Sequence, residues 1–179
     1  MSESNVLDVS LVDPSNVSIG LTGQEALIDL IKIAIVNDDI KNKISINLTP
    51  DIINLINNII TLSPGSLNDI DKSVKDVIKD GKINAKDISG LIVIIQVLYR
   101  LIYSIKTDKF DSKKCAEATS VTLKYIIHLL VLERKIVIPE ENQKEILSDI
   151  DILIDNCIEL LTLQKLVKTK SCLKKLFKL

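Results

Sequence analysis

The stretch from Ile88 to Ile105 reads ISGLIVIIQVLYRLIYSI, and it restricts the fold more than any other feature of the chain. Ile88, Leu91, Ile92, Ile95, Leu98, Ile102 and Ile105 recur at helical spacing, and Ile94, Val97 and Leu101 widen the same face. Only Ser89, Gln96, Arg100 and Tyr103 leave a thin polar strip. LIVII alone is compatible with a strand, but a periodic pattern of about 20 residues decides for helix. A helix apolar nearly all round is a buried one. The run therefore predicts a central helix over about 85–105, with the rest of the chain wrapped around it. Gln96 and Arg100 interrupt it, so it is expected to fall short of the roughly 18 unbroken apolar residues of a membrane span.

The flanking sequence predicts more helices. The chain has 5 Gly and 4 Pro, and 46% of its residues are apolar, so elements should be few and long. Thr22 and Glu25 have the spacing of a capping box and open a first helix that stops near Asn37-Asp38-Asp39. Residues 43–48, KISINL, alternate and read as an extended connector. Thr49-Pro50-Asp51 opens a second helix: Thr caps, Pro fits the first helical position and Asp complements the dipole. Ser63-Pro64-Gly65-Ser66 reads as a breaker, after which Ser66-x-x-Asp69 caps a third helix. A fifth helix is expected from about Ser112 to Arg134. KIVIP (135–139) follows as a connector with scope for brief pairing to KISINL. A sixth helix is expected from near Pro139-Glu140-Glu141 to about Lys168. The fold class is thus all-α: one bundle of about six helices over 21–168. It is preceded by a flexible or loosely docked segment (1–20) and followed by a basic amphipathic tail (169–179). At 179 residues such a domain buries enough surface to stand without staples.

Charge is unevenly placed. The formal net charge is −1, but no acid follows Glu159, and six of the 23 basic side chains lie beyond it. The first 159 residues then carry 17 basic and 24 acidic groups, a net of −7. Lys165, Lys168, Lys170, Lys174, Lys175 and Lys178 interleave with Leu173, Leu176 and Phe177. A basic amphipathic helix suits a protein groove, an anionic membrane surface or a phosphate backbone. Protein partners or self-association are expected, and the tail is the candidate contact, together with the outer face of the sixth helix. The absence of Arg and the single aromatic in the tail weaken nucleic-acid readout.

Chemical motifs are few. Lys79 to Ser89, KDGKINAKDIS, carries half of a calcium-loop signature. Aligning Gly81 to the loop glycine puts Asp76, Asp80, Asn84 and Asp87 at the first, fifth, ninth and twelfth positions. The third falls on Ile78, which offers no oxygen to an ion that takes about six to eight. A helix–turn–helix joint accounts for every residue: Gly81 as the left-handed residue after a helix, Ile83 tucked back, Asn84 as the next N-cap, Asp87 in its first turn. His128 is the only histidine and sits in an aliphatic helix, a setting for a structural or surface role. Cys115, Cys157 and Cys172 have no metal spacing and read as reduced apolar fillers of an intracellular protein. The start, MSESNVLDVS, lacks the pattern of a signal peptide. There is no phosphate loop, GxSxG or HExxH. No enzyme, cofactor or small-molecule substrate is expected.

Around residues 74–105, the stretch VKDVIKDGKINAKDISGLIVIIQVLYRLI resembles small helical proteins of large double-stranded DNA viruses and phages. In those, a helix, a DGKI(D/N)xxDI turn and a long aliphatic helix recur. The resemblance covers about a sixth of the chain and implies no catalytic residue. It implies a structural or assembly role, with a minor virion component as the specific expectation. The length and greasy central helix are also similar to poxviral Bcl-type bundles, which would imply a host-interaction module holding a helical peptide in an apolar groove.

Overall fold

In the computed structural model, residues 26–79, 85–106 and 110–176 are described, with side chains to Leu163. They form seven helices: α1 (Ala26–Val36), α2 (Asp38–Lys43), α3 (Pro50–Leu62), α4 (Pro64–Val77), α5 (Ala85–Ile105), α6 (Ser112–Leu132) and α7 (Gln143–Leu176). No strand occurs among the described residues. The fold is all-α.

The N-terminal elements follow from their caps. The Thr22–Glu25 capping box lies outside the described residues. Asn37 does stop α1, its amide bonding Ile33 O at 3.0 Å, but it also starts a helix that periodicity does not reveal. Its Oδ1 accepts from the amides of Asp39 (2.9 Å) and Ile40 (3.3 Å), and this cap opens the short α2. KISINL is a connector, as expected. Ile44 is buried and Ile46 and Leu48 half-buried, while Ser45 and Asn47 face solvent. This extended strap makes no ladder with KIVIP, where Ile136 and Ile138 are buried and Val137 is exposed. Thr49 caps α3 through Ile52 N at 3.4 Å.

One expected boundary is corrected. Ser66 does not cap a helix; α4 already starts at Pro64. Proline's missing amide is an orphan at the first helical position in any case, and its fixed φ suits a helix start, so Pro64 opens α4. Ser66 is then inside the first turn, its amide bonding Ser63 O at 3.1 Å.

The centre of the bundle is a pair of helices. α5 packs against α3, α4, α6 and α7, and α6 packs against α1, α3, α5 and α7. Leu91, Ile95, Leu98 and Ile102 of α5 are within 1% of full burial. At Gly90 a Cβ would sit 2.7 Å from Val77 Cγ2, so the glycine lets α4 and α5 touch. α6 is the more deeply buried of the two: 72% of its apolar stretch is covered, against 28% for α5. Contrary to the expectation that Gln96 and Arg100 would take the 88–105 run out of the range of a membrane span, both helices are long and apolar enough to cross one by length and composition, since two polar interruptions leave the mean hydropathy high. For α6 the burial is that of a core helix in a folded bundle.

α6 begins at Asp111, whose Oδ1 accepts from Lys114 N at 2.8 Å. That hydrogen bond holds the Asp111 carboxyl below its usual pKa. α6 ends at Leu132, close to the expected Arg134, in a Schellman motif. Arg134 N bonds Val131 O (3.0 Å), and Lys135 N bonds Leu130 O (2.8 Å). The motif needs a left-handed residue, and Arg134 supplies it at φ 53°. Glycine fits that conformation without a Cβ clash. Arg134→Gly is therefore expected to raise stability by about 0.5–1 kcal/mol, read as a higher urea midpoint with an unchanged slope. A lower midpoint would mean that the arginine side chain contributes more than its backbone strain costs.

Candidate functional site

Among the described residues, a set of polar contacts between helices lies where α6 meets α7. On α6, Ser120, Lys124 and His128 follow at four-residue intervals and share one face. On α7, Asp151 and Asp155 have the same spacing. Ser120 Oγ donates to Asp155 Oδ1 at 2.7 Å, and Lys124 Nζ donates to Asp155 Oδ2 at 2.6 Å. His128 Nε2 lies 3.2 Å from both carboxylate oxygens of Asp151. The seam is partly covered: the side chains of Lys124 and His128 are 16% and 11% exposed. It sets the register and antiparallel direction of the two helices.

Ser, His and Asp here do not make a nucleophilic triad. Ser120 and His128 are eight residues apart on one helix, a rise of ~12 Å, and each bonds a different aspartate. A general base must lie within hydrogen-bond reach of its nucleophile. Cys157 is buried, and burial pushes its thiol pKa up, away from the reactive thiolate. Cys115 is fully buried.

The sequence candidates are dispersed. Asp76 is exposed on α4 and Asp87 is half-buried in the first turn of α5. Asp80 and Asn84 lie outside the described residues. Among the described residues, no group of three or more His, Cys, Asp or Glu side chains is placed to hold a metal. The lysines and leucines of the tail, from Lys165 to Leu176, lie on the α7 backbone with side chains outside the described set. Phe177 and Lys178 lie outside it altogether. The helix itself runs on past the expected end near Lys168 to Leu176. Asp155 sits level with the middle of Ser120–Lys124. By that register the start of α6 at Ser112 comes opposite about residue 165, so α7 continues for roughly ten residues, or ~15 Å, past its partner.

Sequence reasoning missed two features. First, the polar strip of α5 contains two valines: Val93 is 57% exposed, and Val97, expected to widen the buried face, is instead 42% exposed, with Tyr103 46% exposed. Their spacing from Ser89 and Arg100 shows this, since 89, 93, 97 and 100 fall on one helical face. Tyr103 stacks on Tyr99 (centroids 6.1 Å apart) and carries Lys106 Nζ at 4.6 Å from its ring. On α7, Ile152, Leu160 and Leu163 are likewise exposed.

Second, α6 buries hydroxyls. Thr119 Oγ1 bonds back to Cys115 O at 2.7 Å, but Thr122 Oγ1 and Tyr125 OH are buried without a partner among the described residues. Tyr125 faces the strap, beside an opening of about 560 Å³ that Ile44, Ile46 and Leu48 also line. Burial raises its phenol pKa. Losing an unpaired buried hydroxyl removes a desolvation cost, so Tyr125→Phe is expected to be neutral or stabilising by up to about 1 kcal/mol in chemical denaturation. A loss of stability would place an ordered water on the hydroxyl.

The fold and its contacts define a class: an all-α bundle whose polar side chains tie helix to helix. No family model, curated protein or solved structure matches the chain.

Proposed function

We propose that this chain is a non-enzymatic structural or assembly protein, and specifically a minor virion component, which acts through helical protein–protein contacts. The continuation of α7 to Leu176, beyond the end of α6, carries the reading. By register, these last turns run on past the start of α6, and a helix that outruns its partner offers a surface to another chain. The basic segment after Glu159 and the net −7 of the preceding 159 residues make two copies complementary head to tail. Contacts of that kind are heterologous, and they build rings or open arrays. The exposed residues Ile152, Leu160 and Leu163 add apolar surface on the same helix.

Sedimentation velocity across salt concentration tests this. The full chain should associate at low ionic strength and dissociate as salt screens the contact, over a Debye length of ~10 Å at 0.1 M. A chain ending at Leu163 should remain monomeric throughout. A full chain that is monomeric at every salt concentration, or a shortened one that still associates, would remove self-assembly by the tail. Mass spectrometry of purified particles tests the virion assignment.

A second reading is favoured by α5. Its Val93, Val97 and Tyr103 strip gives an apolar face of the kind that a soluble intracellular host-interaction module offers to a helical partner. The basic tail on an anionic membrane is the third arrangement, and liposome flotation with and without residues 164–179 separates it from the others.

A further inference from the structure

We propose that the outer face of α7 docks on the exposed face of α5 in a second copy of this chain, a contact that rests on the assembly role and gives it a receiving surface. On α5, Lys86, Val93 and Arg100 follow at seven-residue intervals, and all three are exposed. On α7, Glu145, Ile152 and Glu159 have the same spacing and are exposed too. Seven residues are close to two helical turns, so each triplet keeps to one face over ~21 Å. One face reads cation–apolar–cation, and the other reads anion–apolar–anion. Laid side by side with Val93 against Ile152, the two helices bring each cation opposite a carboxylate. Each triplet is symmetric about its centre, so the match holds for either relative direction of the helices.

The surroundings of each triplet agree with this pairing. Lys86 and Arg100 are the charged groups among the exposed residues of α5, and the half-buried Asp87 lies about 120° round the helix from Val93. On α7, Asp149 adds a further exposed carboxylate about 60° from Ile152, while Lys144 stands on the flank, about 80° away. Arg100, Glu145 and Glu159 have no ion-pair partner among the described residues. Val93 and Ile152 are 57% and 56% exposed, and covering one with the other takes both from water. Val97 and Tyr103 on α5, and Leu160 and Leu163 on α7, extend the apolar part of each face. A pair of helix faces this short falls below the ~800 Å² per partner of a standard interface. The contact therefore adds to that of the tail and does not replace it.

Charge exchange in the full chain, read by sedimentation velocity, tests the pairing. Lys86→Glu with Arg100→Glu should weaken association by about tenfold or more, because like charges then face each other. Glu145→Lys with Glu159→Lys should do the same. All four changes in one chain reverse both faces and keep the net charge, so association should return to near that of the parent. Asp69→Lys with Glu117→Lys alters two exposed acids on α4 and α6, with the same change of net charge as the α7 pair, and should weaken association far less. Every substituted residue is exposed, so the variants should fold, and their thermal midpoints check that they do. If the parent associates and both double variants associate as it does, the α5–α7 contact is overturned, assembly by the tail stands, and the α5 face is left to a different protein. Weakened double variants without recovery in the fourfold variant overturn the contact as well. A parent that is monomeric at every salt concentration removes the assembly role and this contact with it.

Discussion

Leu98→Ala should cost about 3 kcal/mol, whereas Val97→Ala, one residue away, should cost under about 1 kcal/mol. Leu98 is 0% exposed and Val97 is 42% exposed, about 100° apart on the same turn of α5. The larger loss comes from two sources: the transfer of the removed methylenes and the cavity left among rigid neighbours. Urea denaturation of the two variants measures the difference directly. A fall in melting temperature on the order of 10 °C should accompany Leu98→Ala in a chain of this size. Equal losses at the two positions would show that the valine face of α5 is covered, and the second functional reading would lose its surface.

Asp155→Ala should destabilise the protein by about 2 kcal/mol. One carboxylate holds both Ser120 and Lys124, and both donors are mostly buried, at 7% and 16% exposure. Removing it leaves two donors on α6 without their acceptor; the carboxylate is itself 58% exposed, so water can reach the ammonium, and the mostly buried Ser120 hydroxyl carries much of the loss. The Asp155→Asn variant keeps an oxygen for one donor and removes the charge, so it should fall between the parent and Asp155→Ala. Amide exchange in α7 should quicken more than in α3 or α4, because the seam joins only α6 and α7. An even quickening across all helices would mean that the seam stabilises the whole fold and does not act as a local fastening.

The extent of α5 was legible because nearly all the information for it is local: an aliphatic period of about five turns and a breaker on each side. The cap of α3 was legible for the same reason, since Thr49, Pro50 and Asp51 are adjacent. The start of α4 was misplaced because proline both ends and begins helices, and the difference lies in which side the chain turns to. α2 was missed because six residues, DDIKNK, show no apolar period and none of them is buried; only the Asn37 side chain betrays it.

The ranking of burial was not legible either. Counting apolar residues favours α5, but Ala116, Ala118, Thr119, Ser120 and Thr122 allow close approach along α6, and small size is invisible to hydropathy. The seam shows the same limit. The four-residue spacings of Ser120, Lys124 and His128 and of Asp151 and Asp155 are plain in the sequence. Their pairing depends on the direction and register of two helices, and no local pattern contains either.

The strap over Tyr125 has a consequence for exchange and mobility. Ile44 N is bonded to Ile40 O at 3.1 Å, but the amides of residues 45–48 have no backbone acceptor among the described residues. The strap is therefore fastened by the side chains of Ile44, Ile46 and Leu48 and not by a hydrogen-bonded ladder. Lifting it exposes a few methyl groups and breaks no sheet. It can open as a small unit while the helices beneath stay folded, which gives the interior at Tyr125 its own route to solvent.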